Sequence, residues 1–241
     1  MVAKIIIIMS PKGGVGKTTI SVNIAAALAT LNKRVLVVDA NVETPHVAIH
    51  YGFVGFRYSL EDVLNGNVTV ANAIYKTKQP NLHILPSRVF KGRGDGNARF
   101  RLINLFYHLE KISNNYDFII IDSKPSSGLD FVKMIKNPNL IIVSMPEITS
   151  TIEAQKLVHE SKESGINVLG LVLNRVNNKI SGYMSETEVR KMFSINKIWM
   201  VPEEWKAFEA LKKGVPIVLS QPKTAASRTF LEIAKDLIKI Q

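Results

Sequence analysis

A doubly wound α/β domain is predicted, with a mainly parallel sheet of about seven strands and helices on both faces. Three observations predict it. Short β-branched runs alternate with longer segments of helical spacing, the pattern of strand–helix–strand units. Several of those runs are apolar at every position, as in strands covered on both sides. The chain's 241 residues, 46% hydrophobic and 21% charged, suffice for one substantial core. No internal repeat and no linker rich in Pro, Gly or Ser divides it, so residues 1–241 read as one domain.

The elements follow in order. Ile5–Met9 reads as the first strand, and Ile20, Ile24, Ala27, Leu28 and Leu31 then mark one face of a helix. Val35–Val38 is the second strand, ending at Asp39. Ser59 and Asp62 suit a capping-box variant, a helix-opening signal. Leu82–Leu85 is a third strand. Leu102, Leu105, Phe106, Leu109 and Ile112 give another helical face before the strand Phe118–Ile121, which ends at Asp122. Leu140–Val143, Leu169–Leu173 and Ile198–Val201 complete the strands. Phe230, Ile233, Ala234, Leu237 and Ile238 mark a closing helix, read as packing on the sheet rather than as a membrane anchor.

Composition narrows the chemistry. The chain has no cysteine, which excludes disulfides, Cys–zinc sites, iron–sulfur clusters and thiol catalysis. No apolar run is long enough for a membrane span or signal segment, so a cytoplasmic protein is expected. The net charge of +11 favours anionic partners such as nucleic acid, an acidic membrane surface or phosphate ligands. Between Ser87 and Arg101, glycines stand at 92, 94 and 96 and five basic residues face one Asp, which reads as a solvated loop and a secondary candidate for anion contact. His46 and His50 stand four apart, but no Glu follows His46 and no third ligand is evident, so they are not read as a zinc pair.

The informative segment is Ser10-Pro11-Lys12-Gly13-Gly14-Val15-Gly16-Lys17-Thr18-Thr19, which follows a strand and opens a helix. Glycines let the backbone fold into a nest whose N–H groups converge on phosphate oxygens. Gly16 to Thr19 fall at the helix start, where N–H groups are unpaired and the dipole favours an anion. Lys17 supplies charge for the β- and γ-phosphates, and Thr18 an oxygen for Mg²⁺. A dinucleotide fingerprint fails on spacing, since its third glycine would fall on Thr19. A nucleoside triphosphate with Mg²⁺ is therefore the expected ligand.

Pro11 replaces the first glycine of the usual phosphate-loop pattern, and Lys12 follows it. This arrangement closely resembles the deviant Walker A motif of the MinD/ParA family of P-loop ATPases, with MinD-like members the nearer match. The resemblance runs nearly end to end. It implies a homodimer in the ATP state in which Lys12 reaches the partner's nucleotide, with Lys12, Lys17, Asp39 and Asn41 as the catalytic set. The phosphates would lie on Gly13, Gly14, Val15, Gly16, Lys17, Thr18 and Thr19. Val35–Asp39 resembles the family's second strand with its switch aspartate, and Tyr116–Asp122 its Walker B strand. Thr18, Asp39 and Asp122 are then the Mg²⁺ set. Val172–Val176 resembles the adenine-contacting segment, which implicates Asn174 and Arg175. Val201–Glu204 resembles the next adenine and ribose loop, which implicates Pro202 and Glu203. Met145–Glu147 resembles a Pro-Glu motif near the dimer's nucleotide interface, which implicates Glu147.

One position departs from that pattern. Family members commonly carry Asp-x-Asp where this chain has Asp39-Ala40-Asn41. An amide can hold a water but cannot take its proton, so slow hydrolysis of ATP to ADP and phosphate is expected. The resemblance implies an ATP-dependent switch in spatial positioning, as in cell division, with an activating partner protein still to be found. The alternative is a ParA-like ATPase that binds DNA non-specifically in segregation, which the +11 charge favours. The two readings place the protein peripherally at the membrane or at the nucleoid. Cluster-binding relatives need cysteines that this chain lacks.

Overall fold

The computed structural model describes residues 2–88, 98–124, 128–130, 132–135 and 138–240, the side chains of 98–103 excepted. Eight strands form one sheet: β1 (Lys4–Met9), β2 (Val35–Asp39), β3 (Tyr75–Lys76), β4 (Leu82–Leu85), β5 (Phe118–Asp122), β6 (Asn139–Ser144), β7 (Asn167–Val176) and β8 (Ile198–Pro202). Their order is β3-β4-β2-β5-β1-β6-β7-β8, and every pairing except β3–β4 is parallel. All seven strands read from the sequence are present. The eighth, β3, is a two-residue antiparallel edge strand, too short to show any periodicity.

The helices are α1 (Lys17–Thr30), α2 (Val47–His50), α3 (Leu60–Leu64), α4 (Ala98–Ile112), α5 (Ile148–Glu163), α6 (Glu186–Met192), α7 (Lys206–Lys212), α8 (Ile217–Ser220) and α9 (Ala225–Lys239). Strand side chains alternate between faces, which builds two separate apolar layers. Ile6 and Ile8 of β1 join α1, α2, α7, α8 and α9 on one side. Ile7 and Met9 join α3, α4, α5 and α6 on the other. Helix α1 is buried over most of its surface because it is wedged between the sheet, α8 and α9. Helix α9 buries Phe230, Ile233, Ala234 and Leu237, the face its spacing marks. Asp62 accepts the Ser59 N–H at 2.8 Å, so the capping box at α3 forms.

The chain order of the strands reverses at β1. From β1 the chain moves outward to β2 and β4, returns to β5 beside β1, and then crosses to β6 on the other flank. Open parallel sheets leave a crevice at such a reversal, beyond the carboxyl ends of the strands. Register does the rest: Asp39 of β2 pairs with Asp122 of β5, and Asp122 also sits opposite Ile8 of β1. Two acidic residues far apart in sequence thus end adjacent strands beside the loop that leaves β1.

Candidate active site

The loop from Ser10 to Gly16 joins β1 to α1. Gly14 and Gly16 take left-handed φ values of +79° and +88°, which an L side chain would strain. Gly16 is further constrained by space: a Cβ there would lie 2.3 Å from Asn174 Nδ2. That amide donates to the Val15 carbonyl at 2.8 Å and so straps β7 to the phosphate loop. Asn174 keeps its Oδ1 as an acceptor and its second Nδ2 hydrogen as a donor for a ligand.

Beneath the loop lies a compact polar cluster. Asp122 accepts from Thr18 Oγ1 at 2.6 Å and from Ser21 Oγ at 3.0 Å, and Lys17 Nζ is 3.6 Å from its Oδ1. Lys17 is only 5% exposed, so its ammonium is held beneath the cavity floor by this carboxylate. Asp39 beside it is fully buried and accepts the N–H groups of Asn41 and Val47 at 3.2 and 3.0 Å. Burial, reinforced by the charge of Asp122, pushes the Asp39 carboxyl up to about 8, against the opposing pull of its backbone N–H bonds. Two buried carboxylates and a hydroxyl at one strand edge form a hard oxygen set suited to Mg²⁺. The expected metal set of Thr18, Asp39 and Asp122 is thus assembled in space.

Two adjoining cavities open above this cluster. The larger, about 420 Å³, is lined by Lys12, Gly14, Val15, Gly16, Lys17, Thr18 and Thr19, with Asn41, Thr44, His46, Ile49, His50 and Leu211 opposite. The smaller, about 160 Å³, is lined by Asn174, Arg175, Pro202, Glu203, Phe208 and Leu211, over Ile217 and Phe230. Gly16, Thr19, His50 and Leu211 belong to both walls, so the cavities are neighbours.

Most of the residues singled out by sequence therefore meet at one place. Gly13, Glu147 and the fully buried Asp39 and Asp122 are in neither wall. Glu147 caps α5, where its carbonyl accepts the Thr151 N–H at 2.9 Å and its backbone bridges to Tyr183. Lys12 borders the larger cavity, but its Nζ donates to Thr149 Oγ1 at 3.1 Å and lies 3.5 Å from Glu153 Oε1. Asn41 is turned into its own loop: Nδ2 donates to the Thr44 carbonyl and hydroxyl, each at 2.9 Å. The basic stretch after Ser87 falls outside the described residues at 89–97, and Arg88 is spent on the backbone carbonyls of Phe56 and Arg57. Sequence reading missed Thr44, His46, Ile49, Phe208 and Leu211 as cavity residues. Their one signal is position, since each follows the carboxyl end of a strand, where ligands of such sheets bind.

Fold and site together define a P-loop nucleotide-binding protein: a glycine loop from strand to helix, its lysine and threonine on a strand-end carboxylate, and a crevice at the strand reversal. Comparisons with known proteins agree. The AAA domain family matches residues 3–167. An ATP-binding protein of Methanocaldococcus jannaschii is 32% identical over 99% of this chain and 89% of its own length. The crystal structure of the cell division ATPase MinD of Pyrococcus furiosus superposes with a TM-score of 0.86 at 26% identity, covering 99% of this chain and 100% of that one. MinD of Pyrococcus horikoshii, solved as a complex with Mg-ADP, also superposes at 0.86 and 26% identity, over 98% and 96% of the two chains. The chain belongs to the MinD/ParA family of P-loop ATPases.

Proposed function

We propose that this protein is a MinD-like, ATP-dependent dimerising switch in spatial positioning, which hydrolyses ATP slowly to ADP and phosphate. The observation that carries the reading is Lys12. It borders the phosphate cavity, yet its ammonium is partly exposed and is drawn to Thr149 and Glu153 of α5. A lysine placed so can complete a partner's site.

The chain's own groups suit phosphoryl transfer, which depends mainly on positioning and charge. N–H groups of the loop and of the first turn of α1 receive the phosphate oxygens. Lys17 adds its positive charge to the β- and γ-phosphates once released from Asp122. Asn174 Oδ1 accepts from an exocyclic amine on the base edge, which adenine has at that position and guanine lacks. Thr18, Asp122 and Asp39 would hold Mg²⁺, which supplies charge neutralisation on the triphosphate. Asn41 has no carboxylate to take a water's proton, and its amide is engaged by Thr44, both of which support slow turnover. Dimer closure on ATP and release after hydrolysis would make the γ-phosphate the switch.

Light scattering on a sizing column in Mg-ATP and then in Mg-ADP tests the switch. A dimer in ATP that reverts to monomer in ADP, and that Lys12→Ala abolishes, is the expected result. Monomer in both, with nucleotide bound, would sink it. Asn41→Asp should raise turnover. The second reading, a ParA-like ATPase, rests on the net charge of +11. Salt-sensitive retention on duplex DNA in ATP but not ADP would favour it, and a nucleoid location. Co-sedimentation with acidic vesicles would favour the MinD-like reading, and a peripheral membrane location.

A further inference from the structure

The smaller cavity has a wall that neither phosphate binding nor recognition of the base edge employs. Helix α7 forms it, through Phe208 and Leu211. Phe208 is 70% exposed and Leu211 37% exposed, although both border the cavity. Single exposed apolar side chains are ordinary on a protein surface. A phenyl ring at the mouth of a cavity edged by Asn174, Arg175 and Glu203 is a more specific arrangement, because it offers a π-face to a flat ligand whose polar edge those groups can meet.

We propose that Phe208 is a base-stacking residue, its ring covering the face of the nucleobase whose edge meets Asn174. The proposal rests on the reading that the two cavities hold a nucleotide. Adjacency supports it: Leu211 of α7 and His50 line both cavities, so a ligand that spans from Lys17 to Asn174 would border α7.

The placement of α7 supports it independently. Gly214, just beyond α7, meets Gly52, just beyond α2, backbone to backbone. A Cβ on Gly214 would lie 2.4 Å from Gly52 Cα and 2.7 Å from its nitrogen. Both glycines have positive φ, +62° and +75°. Contact this close fixes α7 against α2, and α2 is in turn held by the Val47 N–H bond to Asp39. The ring is thus carried on an element anchored to the phosphate end of the site.

Stacking on an aromatic ring tolerates every base, since each has a π-face, whereas edge hydrogen bonds discriminate. Phe208→Ala should therefore weaken Mg-ATP and Mg-GTP binding alike, by about tenfold or more, judged from the usual worth of a base–aromatic stack. Binding of inorganic tripolyphosphate, which has no base, should not change. Phe208→Trp should retain ATP affinity. Calorimetric titration of the full chain with the three ligands reads all of this, and an unchanged melting temperature confirms that the exposed substitution leaves the fold intact. Unchanged ATP affinity in Phe208→Ala overturns the proposal while leaving the nucleotide site standing. Equal weakening of ATP and tripolyphosphate overturns it as well, because the ring would then only shape the site. A wild-type chain that binds tripolyphosphate but no nucleotide, or neither ligand, overturns the nucleotide reading and this proposal together.

Discussion

His50 shows how much the meaning of a single residue depends on where the fold puts it. In the sequence it is one of two histidines at helical spacing; in the structure it is a wall of both cavities, 9% exposed. Burial, with a smaller contribution from His46, pushes its pKa down to about 4. The sign follows from linkage. The unfolded chain takes up the proton near the reference value of 6.5 and the folded chain only near 4. Stability contributed by neutral His50 is therefore whole above about 6.5 and is lost as pH falls toward 4, by about 3 kcal/mol in all. Urea titrations of the nucleotide-free protein should show this acid loss in the parent and a shallower one in His50→Gln. Equal pH dependence in both would refute it. Gly16 gives the complementary case. Its motif was legible, but the reason for glycine is partly tertiary, since Asn174 of β7 fills the space a side chain would need.

Among the helices, α1, α4 and α9 were legible from their spacing and the start of α3 from its capping box, whereas α5, though sixteen residues long, and the short α2, α6, α7 and α8 were not. Helix α9 shows its apolar face at i, i+3, i+4 and i+7 over fifteen residues, and the fold buries that face. Its start is set by Thr224, whose Oγ1 accepts the Ser227 N–H at 3.2 Å. Thr224→Ala should cost about 1 kcal/mol by loss of this cap, and Thr224→Ser should recover most of it. Chemical denaturation curves for the three proteins check this, and equal midpoints would refute it. Helices α2 and α8, of four residues each, and α7, of seven, span too few turns for spacing to register. They form because β2, β8 and α9 offer them an apolar surface. The two cavities draw several of their walls from these short pieces, and for that reason the phosphate loop was readable and much of the smaller cavity was not.

The whole molecule is a sheet with two separate apolar layers, and this makes a prediction about additivity. Ile24 of α1 lies in one layer and Ile142 of β6 faces the other, both fully buried. Each Ile→Val change should cost about 1 kcal/mol. Because the sheet separates the two sites, the double variant should show the sum to within about 0.5 kcal/mol. Urea midpoints of the four proteins measure it, and a larger coupling would mean that strain passes through the sheet. The family resemblance was equally visible at this scale, since the order of motifs runs from Lys12 to Glu204, while strand order and register emerge only on folding.

The sequence by itself determined the alternation of strands and helices, the phosphate loop and its lysines, the carboxylates at two strand ends and the family that these define. Such features depend on local periodicity and on residue type at fixed spacing. Tertiary structure decided what pairing and packing place together: Asp39 beside Asp122 through register, Asn174 strapped to Val15, Lys12 resting on α5, and Phe208 beside Asn174 on the wall of the smaller cavity. Each joins a side chain to a partner or a neighbouring surface that local periodicity does not specify, and only the closed sheet with its helices in place brings them within reach.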